Sequence, residues 1–470
     1  MSAAQAGIVA CGTYLPLRRL PLSVLGGGTA EGGPERTVAW ADEDSVTLAV
    51  EAARDCLRGR SRERIDLLLF ATTTYAFSEK QGAVLIAAAL GLPPQVRTVD
   101  IGNSLRAGSH ALSAAIDAVS SGRAREALVV VADCRMGAPG SDLERSAGDA
   151  GVAFLISAKE PCAVFVGATY AGEELVDVWR RAGERFTHSW EDRFVTRHGY
   201  LDPAGAAAQA LRERHVDRDP ASWSWAASAP NARALGSLAA SLGLERRSLH
   251  SGFHDRVGFT GAAHGPLLLT DLLERAQPGD RVALLTHGDG AEALLFEVLR
   301  PTPRSGLQAA LERRLPVARL DAYRRARELE PTEYPPADDQ GISATVHFRE
   351  RDADLRLQGQ RCACGEPQFP KGRVCFRCGR KDAFTPEDYA ERGGMVVTYT
   401  LDAFFPSPDP PTAVGIIQVE EGPRIYLQIA DIPAREVAIG LPVQFAFRCI
   451  HRAGRRPNYF WKAVPRRSTP

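Results

Sequence analysis

The sequence has no surplus charge of either sign: Lys plus Arg and Asp plus Glu both total 57 in 470 residues. A surface built for nucleic acid or anionic lipid carries a basic excess, so neither partner is expected for the chain as a whole. Uninterrupted apolar runs of about 18 residues, the length a membrane-spanning helix needs, are absent. The opening MSAAQAGIVACGTYLP has no basic stretch followed by a long apolar one, so it does not read as a secretory signal. Cysteine is sparse, with nine in the chain, too few for the disulfide framework of a secreted protein. These absences point to the cytoplasm. Apolar residues make up 44% and charged residues 24%, which supports large cores and excludes a disordered composition. The length allows roughly two to four domains.

From residue 7 to about 300, strand-like runs alternate with helix-like stretches. DLLLFATTT (66–74), EALVVVADC (126–134), GVAFLIS (151–157) and RVALLTHGDG (281–290) are near-continuous apolar runs. Such runs suit strands covered on both faces, and the alternation predicts a layered α/β fold. CAVFVGATY (162–170) resembles a second copy of the opening strand GIVACGTYLP (7–16), so two similar halves are expected, about 1–160 and 161–300. Residues 301–354 read as a helical segment and linker, ending near PTEYPPADDQG. After residue 385 the texture changes to short β runs (GMVVTYTL, AVGIIQV, RIYLQIA, PVQFAFRCI, NYFWKAV), which predicts a small barrel over 386–470.

Between these parts, over 355–385, Cys362, Cys364, Cys375 and Cys378 form C-x-C, ten residues, then C-x-x-C. Two close turns bearing four thiolates can surround one tetrahedral Zn²⁺. Gly365 and Gly379 follow each pair and allow the tight turns that face backbone N–H groups to sulfur. Four protein ligands leave no open position, so the expected role is structural. The C-x-C pair is tighter than the usual C-x-x-C knuckle.

Several segments resemble the hydroxymethylglutaryl-CoA synthase and β-ketoacyl-ACP synthase III branch of the thiolase superfamily. They are DCRMGAPGSDLERSAGDAGVAFLIS (133–157) and VGFTGAAHGPLLLTDLLERAQPGDRVALLTHGDGAEALLFEV (257–298), and the likeness spans about residues 6 to 300. Residues 355–465, chiefly RCACGEPQFPKGRVCFRCG (361–379), resemble the zinc-ribbon plus OB-fold family that accompanies thiolases. The expected fold is therefore a duplicated thiolase fold, layered αβαβα, followed by a zinc ribbon and an all-β OB-fold barrel.

That family's chemistry uses a cysteine nucleophile at a helix start, with a histidine and an asparagine to polarise the thioester carbonyl. In GNSLRAGSHAL (102–112) Leu105 falls at the cysteine position. In WAASAPNARAL (225–235) Ser228 falls at the histidine position, followed by the matching Pro230 and Asn231. In the turn GFT (258–260) Phe259 replaces the asparagine, and the synthase general-base glutamate falls near Thr74. No catalytic residue is expected at the family positions. Ser104 is the fallback nucleophile, Ser109 is a second serine nearby, and His110, His254, His264 and His287 are candidate bases. The bland readings are a helix cap for the serines, structural roles for the histidines, an inert core thiol for Cys134, and solvated charge for Lys80 and Arg106.

The resemblance implies a synthase-like, catalytically degenerate subunit of an acyl-CoA thiolase or acyltransferase complex. Its ribbon and OB-fold would bridge to a thiolase-like or aldolase-like partner and help form the channel for coenzyme A, around a homodimeric core. The alternative is an autonomous acyl-CoA acyltransferase, thioesterase or lyase with a relocated nucleophile.

Overall fold

The computed structural model describes residues 5–30, 32–217, 219–330, 343–405, 407–453 and 456–466. These divide into two compact units. The first comprises Met1–Ala39, Asp44–Ala87 and Leu92–Leu320; the second comprises Trp40–Glu43, Ala88–Gly91 and Asp321–Pro470.

The first unit is built on a nine-stranded sheet. Its strands are β1 (Gly7–Tyr14), β2 (Ile65–Ala71), β3 (Arg97–Ile101), β4 (Glu126–Asp133), β5 (Ala150–Ser157), β6 (Ala163–Gly172), β7 (Ser224–Ala227), β8 (Arg281–His287) and β9 (Gly290–Val298). The order across the sheet is β7-β8-β9-β6-β1-β5-β4-β2-β3. The duplication expected from the sequence is visible in the pairing. In the first half β1 pairs antiparallel with β5, β5 antiparallel with β4, and β4 parallel with β2. In the second half β6, β9, β8 and β7 repeat that pattern.

Six main helices cover the sheet: α1 (Ser45–Cys56), α2 (Gly82–Ala89), α3 (Ala107–Ser120), α4 (Asp202–Arg214), α5 (Ala232–Leu242) and α6 (His264–Arg275). The helix α1 starts where it does because the Asp44 carboxylate accepts from Val46 and Thr47 N–H while Thr47 Oγ1 accepts from Asp44 N–H. Such a cap contributes about 1 kcal/mol. Alternate residues of β8 feed opposite cores. Val282 and Leu284 join α3 and α6 in one, whereas Ala283 and Leu285 join α4 and α5 in the other. Strands buried on both faces need apolar side chains at every position, which is why these runs read as continuous in the sequence. Two shorter helices follow, α7 (Leu307–Glu312) and α8 (Leu320–Ala326). The Pro-rich run 331–341 lies outside the described residues.

The second unit contains α9 (Ala344–Arg356), then a three-stranded ribbon of β10 (Gln358–Cys362), β11 (Pro367–Gln368) and β12 (Phe384–Asp388). A closed barrel completes it: β13 (Gly393–Asp402), β14 (Thr412–Val419), β15 (Arg424–Ile429), β16 (Pro442–Ala453) and β17 (Arg456–Pro465), in the order β13-β14-β15-β17-β16. Val396, Ile417, Ile425, Leu427, Phe445, Phe447 and Trp461 are buried. Closure leaves no long free edge.

Candidate functional site

Three sequence-distant segments meet at the turn that joins β8 to β9. Leu105 lies at the entry to α3, and a methyl group built on Gly288 would come 2.9 Å from its Cβ. Ser228 leaves the end of β7, with its Oγ 3.5 Å from His287 Nδ1. Phe259 is anchored by its N–H to Ser146 O at 2.7 Å, and its ring stacks on His287 at 5.8 Å between centroids. The positions singled out by resemblance (105, 228 and 259) thus face one turn. The turn is unusual in its backbone: Gly288, Asp289 and Gly290 have φ of 137°, 51° and 105°.

The side chains at these positions carry little reactivity. Leucine and phenylalanine offer no nucleophile, proton or hydrogen-bond donor. Ser104 donates to Gly288 O at 3.2 Å and accepts from Arg106 N–H, a local turn ahead of α3 rather than the helix cap expected of it, since the N-cap is Arg106 and has no side-chain cap. Ser109 is fully buried and bonded to Thr286 Oγ1 at 2.7 Å. Arg106 is not solvated charge. Its guanidinium donates to the carbonyls of Gly288 (2.5 Å), Asp289 (2.7 Å) and Ala291 (3.4 Å) and so ties α3 to the turn. Asn231 caps α5 through Ala234 N–H at 2.9 Å.

His264 and His287 are buried beside Phe259, and the partly buried His254 adjoins His264. His264 lies 4.9 Å from Phe259 and stacks on His254 at 5.2 Å, while Tyr200 meets His287 edge-on at 4.7 Å. Burial pushes His254 and His287 down to about 4 and holds His264 well below the ordinary imidazole range. All three are neutral near pH 7. His110 stands apart, on the first turn of α3, with Nε2 3.8 Å from the buried Glu292 carboxylate. Burial raises Glu292 and lowers His110. Lys80 lies 5.8 Å over Phe77, and the half-buried Cys134 donates its backbone N–H to Thr74 Oγ1.

Two charged groups in the site escaped the sequence reading. Asp133 is fully buried and accepts from Thr72 Oγ1, Thr73 N–H and Oγ1, Thr74 Oγ1 and Ala262 N–H, at 2.7 to 3.1 Å. Thr74 therefore supports a carboxylate rather than standing alone. Arg135, also buried, lies 5.8 Å over the Phe259 ring. The signal available was position: Asp133 ends a buried strand and Arg135 follows it, and open α/β sheets gather ligands and charge at strand ends.

In the second unit the four thiols Cys362, Cys364, Cys375 and Cys378 come together, with all sulfurs within 4.8 Å of one another. Cys362 and Cys378 Sγ are 3.7 Å apart, and Cys364 and Cys375 Sγ 3.8 Å. Bonds of about 2.3 Å at tetrahedral angles give an edge of about 3.8 Å, so the group fits a metal ion. Backbone N–H groups of Cys378 and Arg377 face Cys375 and hold its thiol down to about 7.

The fold and site define a thiolase-superfamily acyltransferase scaffold carrying a second, OB-fold unit. Structural likeness agrees. A hydroxymethylglutaryl-CoA synthase crystallised with CoA superposes with a TM-score of 0.62, at 20% identity over 72% of this chain and 95% of that one. A 3-oxoacyl-(acyl-carrier-protein) synthase III gives a TM-score of 0.53 at 19% identity, over 63% of this chain and all of that one. In sequence, the hydroxymethylglutaryl-CoA synthase of Pyrococcus furiosus is 31% identical over 303 residues, 62% of this chain and 86% of that protein. That of Methanopyrus kandleri is 30% identical over 308 residues, 62% of this chain and 87% of that protein. The chain belongs to the hydroxymethylglutaryl-CoA synthase family. Its residues 388–448 match the family model described as the ChsH2 C-terminal OB-fold domain. Among the described residues, no helix is long and apolar enough to cross a membrane.

Proposed function

We propose that this chain is a synthase-like, catalytically degenerate subunit of a cytoplasmic acyl-CoA thiolase or acyltransferase complex. Its thiolase-fold part covers residues 1–300, with a helical segment and linker over 301–354. The zinc ribbon (355–385) and OB-fold (386–470) bridge to a thiolase-like partner and help form its CoA channel. One observation carries this reading: the side chains converging on the Gly288 turn include Leu105 and Phe259, which offer neither a nucleophile nor a carbonyl donor. The family's acyl transfer needs both. The partner supplies the working cysteine, and this chain contributes binding surface and a homodimeric core. Zn²⁺ on Cys362, Cys364, Cys375 and Cys378 would fix the ribbon's two turns and supply rigidity rather than catalysis.

Native purification of the assembly, with mass spectrometry and zinc quantitation, tests the reading. A co-purifying thiolase-like or aldolase-like protein and about one zinc per chain are expected. A lone homodimer that turns over acyl-CoA would overturn it in favour of an autonomous enzyme with a relocated nucleophile.

A further inference from the structure

Strand β9 reads GAEALLFEV, and its first glutamate interrupts a run that is otherwise apolar and buried as far as Phe296. Glu292 is fully buried, and among the described residues neither of its carboxyl oxygens has a hydrogen-bond partner. Its neighbours across the sheet are Thr286 on β8 and Tyr170 on β6. Two serines of α3 face this row, but both are spoken for. Ser109 bonds Thr286 Oγ1 at 2.7 Å, and Ser113 bonds the Tyr170 hydroxyl at 3.3 Å. A carboxylate deprived of both water and donors is costly, so the protonated carboxyl is the form this setting favours.

Two basic side chains at the start of α3 reach towards it. They are Arg106 and His110, four residues apart and so on one face. The half-buried His110 places Nε2 3.8 Å from Glu292 Oε2. Arg106 acts on Glu292 through space and favours its charged form. Its N–H groups, however, are committed to the carbonyls of Gly288, Asp289 and Ala291, the last of these next to Glu292 in the chain. Asp289, on the same turn, is the other charged group facing His110. Burial lifts Glu292, whereas burial and then Arg106 depress His110. One proton therefore serves the pair, on the carboxyl or on the imidazole, and the pair is neutral overall in either state.

We propose that Glu292, His110 and Arg106 form a proton-operated latch on the β8–β9 turn. With the proton in place Glu292 makes no demand on Arg106, and the guanidinium holds the turn. When the pair gives its proton to water through the half-exposed imidazole, the bare carboxylate draws Arg106 off the carbonyls of Gly288, Asp289 and Ala291. The folded value of Glu292 lies above its unfolded one, so the latch is closed on the acid side and opens as pH rises through that raised value. The turn packs against Leu105, so the same proton sets how firmly position 105 is held.

Amide hydrogen exchange of the full chain, read by mass spectrometry from about pH 6 to about pH 9 and corrected for the intrinsic rate, tests this. Peptides covering 286–292 are expected to exchange about tenfold faster at the alkaline end, the scale of one lost charge-assisted hydrogen bond. Glu292→Gln, a neutral counterpart of the protonated side chain, should keep the turn protected throughout. His110→Lys gives the carboxylate a cation of its own in place of Arg106 and should abolish the step as well. Its half-exposed position keeps the test open if Glu292→Gln folds poorly. Arg106→Gln should leave the turn in fast exchange at every pH. A wild-type turn whose corrected exchange is flat across the range overturns the proposal. So does a Glu292→Gln or His110→Lys chain that keeps the wild-type step, or an Arg106→Gln chain whose turn stays protected.

Discussion

Leu105 is packed against Gly288: a β-carbon added to the glycine would sit 2.9 Å from both the Cβ and the backbone nitrogen of the leucine. Helix α3 and the β8–β9 turn are therefore fitted to each other at the position that sequence resemblance assigns to the family's nucleophile. Gly288→Ala must both clash there and hold an L-residue at φ 137°, a conformation that only glycine adopts freely. A loss of about 1–3 kcal/mol is expected from the strained backbone. Denaturant unfolding of Gly288→Ala, with and without Leu105→Ala, checks it. The leucine change keeps the Cβ and the backbone nitrogen at 105, the atoms that meet the new β-carbon, so it should relieve neither the clash nor the backbone cost. Wild-type stability in Gly288→Ala would refute the contact.

Leu105→Cys alone is not expected to restore condensation. Ser228 and Phe259 would remain, and each missing carbonyl donor costs about 10²–10³ in kcat. Acyl-CoA condensation assays on the single variant should stay at background, with activity first detectable when Ser228→His and Phe259→Asn are added. Robust turnover by Leu105→Cys would mean that other groups already polarise the carbonyl.

Acid sensitivity follows from the imidazole cluster. Burial holds His254 and His287 at about 4 and His264 lower than usual, whereas an unfolded histidine titrates near about 6.5. Below about pH 6.5 the unfolded chain therefore binds protons that the folded one refuses. Stability falls as pH drops towards 4, by about 1.4 kcal/mol per unit for each imidazole. Glu292, raised by burial, works in the opposite sense: its contribution is complete below the unfolded carboxylate pKa of about 4.3 and is lost as pH rises. His264→Leu should flatten the acid limb by one imidazole's share in urea titrations across that range. An unaltered slope would show that His264 titrates normally in the folded state.

Removing one thiol should release the metal from the second unit. Cys375→Ser is expected to lower metal content by about one ion per chain and to raise amide exchange across 358–388. Metal binding by such sites is folding energy, about 10–16 kcal/mol in isolated zinc-finger peptides. Full metal retention in the variant would rule out Cys375 as a ligand.

The sequence was most legible where the physics is one-dimensional. Buried strands such as β4 and β8 announced themselves as unbroken apolar runs because both faces are covered. The cysteine spacing carried the thiol cluster for the same local reason. The helix α9 was not resolved from its linker: Leu355 is its one buried residue and Phe348 is exposed, so it has no apolar stripe to read. The stretch between β6 and α4, with its π-helical turn Val195–Leu201, gave no periodic signal. At the site, resemblance located Leu105, Ser228 and Phe259. Asp133, Arg135 and Tyr200 had no such marker, because their interest lies in burial and in hydrogen bonds made or left unmade, which only three dimensions reveal.

The seat of β1 constrains the order of assembly on the ribosome. Gly7–Tyr14 is pinned between β5, which begins at Ala150, and β6, which begins at Ala163. Chains grow at about 5–20 residues per second, so β1 waits on the order of ten seconds for its first neighbour. During that wait an apolar segment with two unpaired edges is exposed, the condition under which chaperones bind and misassembly begins. A strand made before β2, β3 and β4 is therefore seated after they can pair with one another.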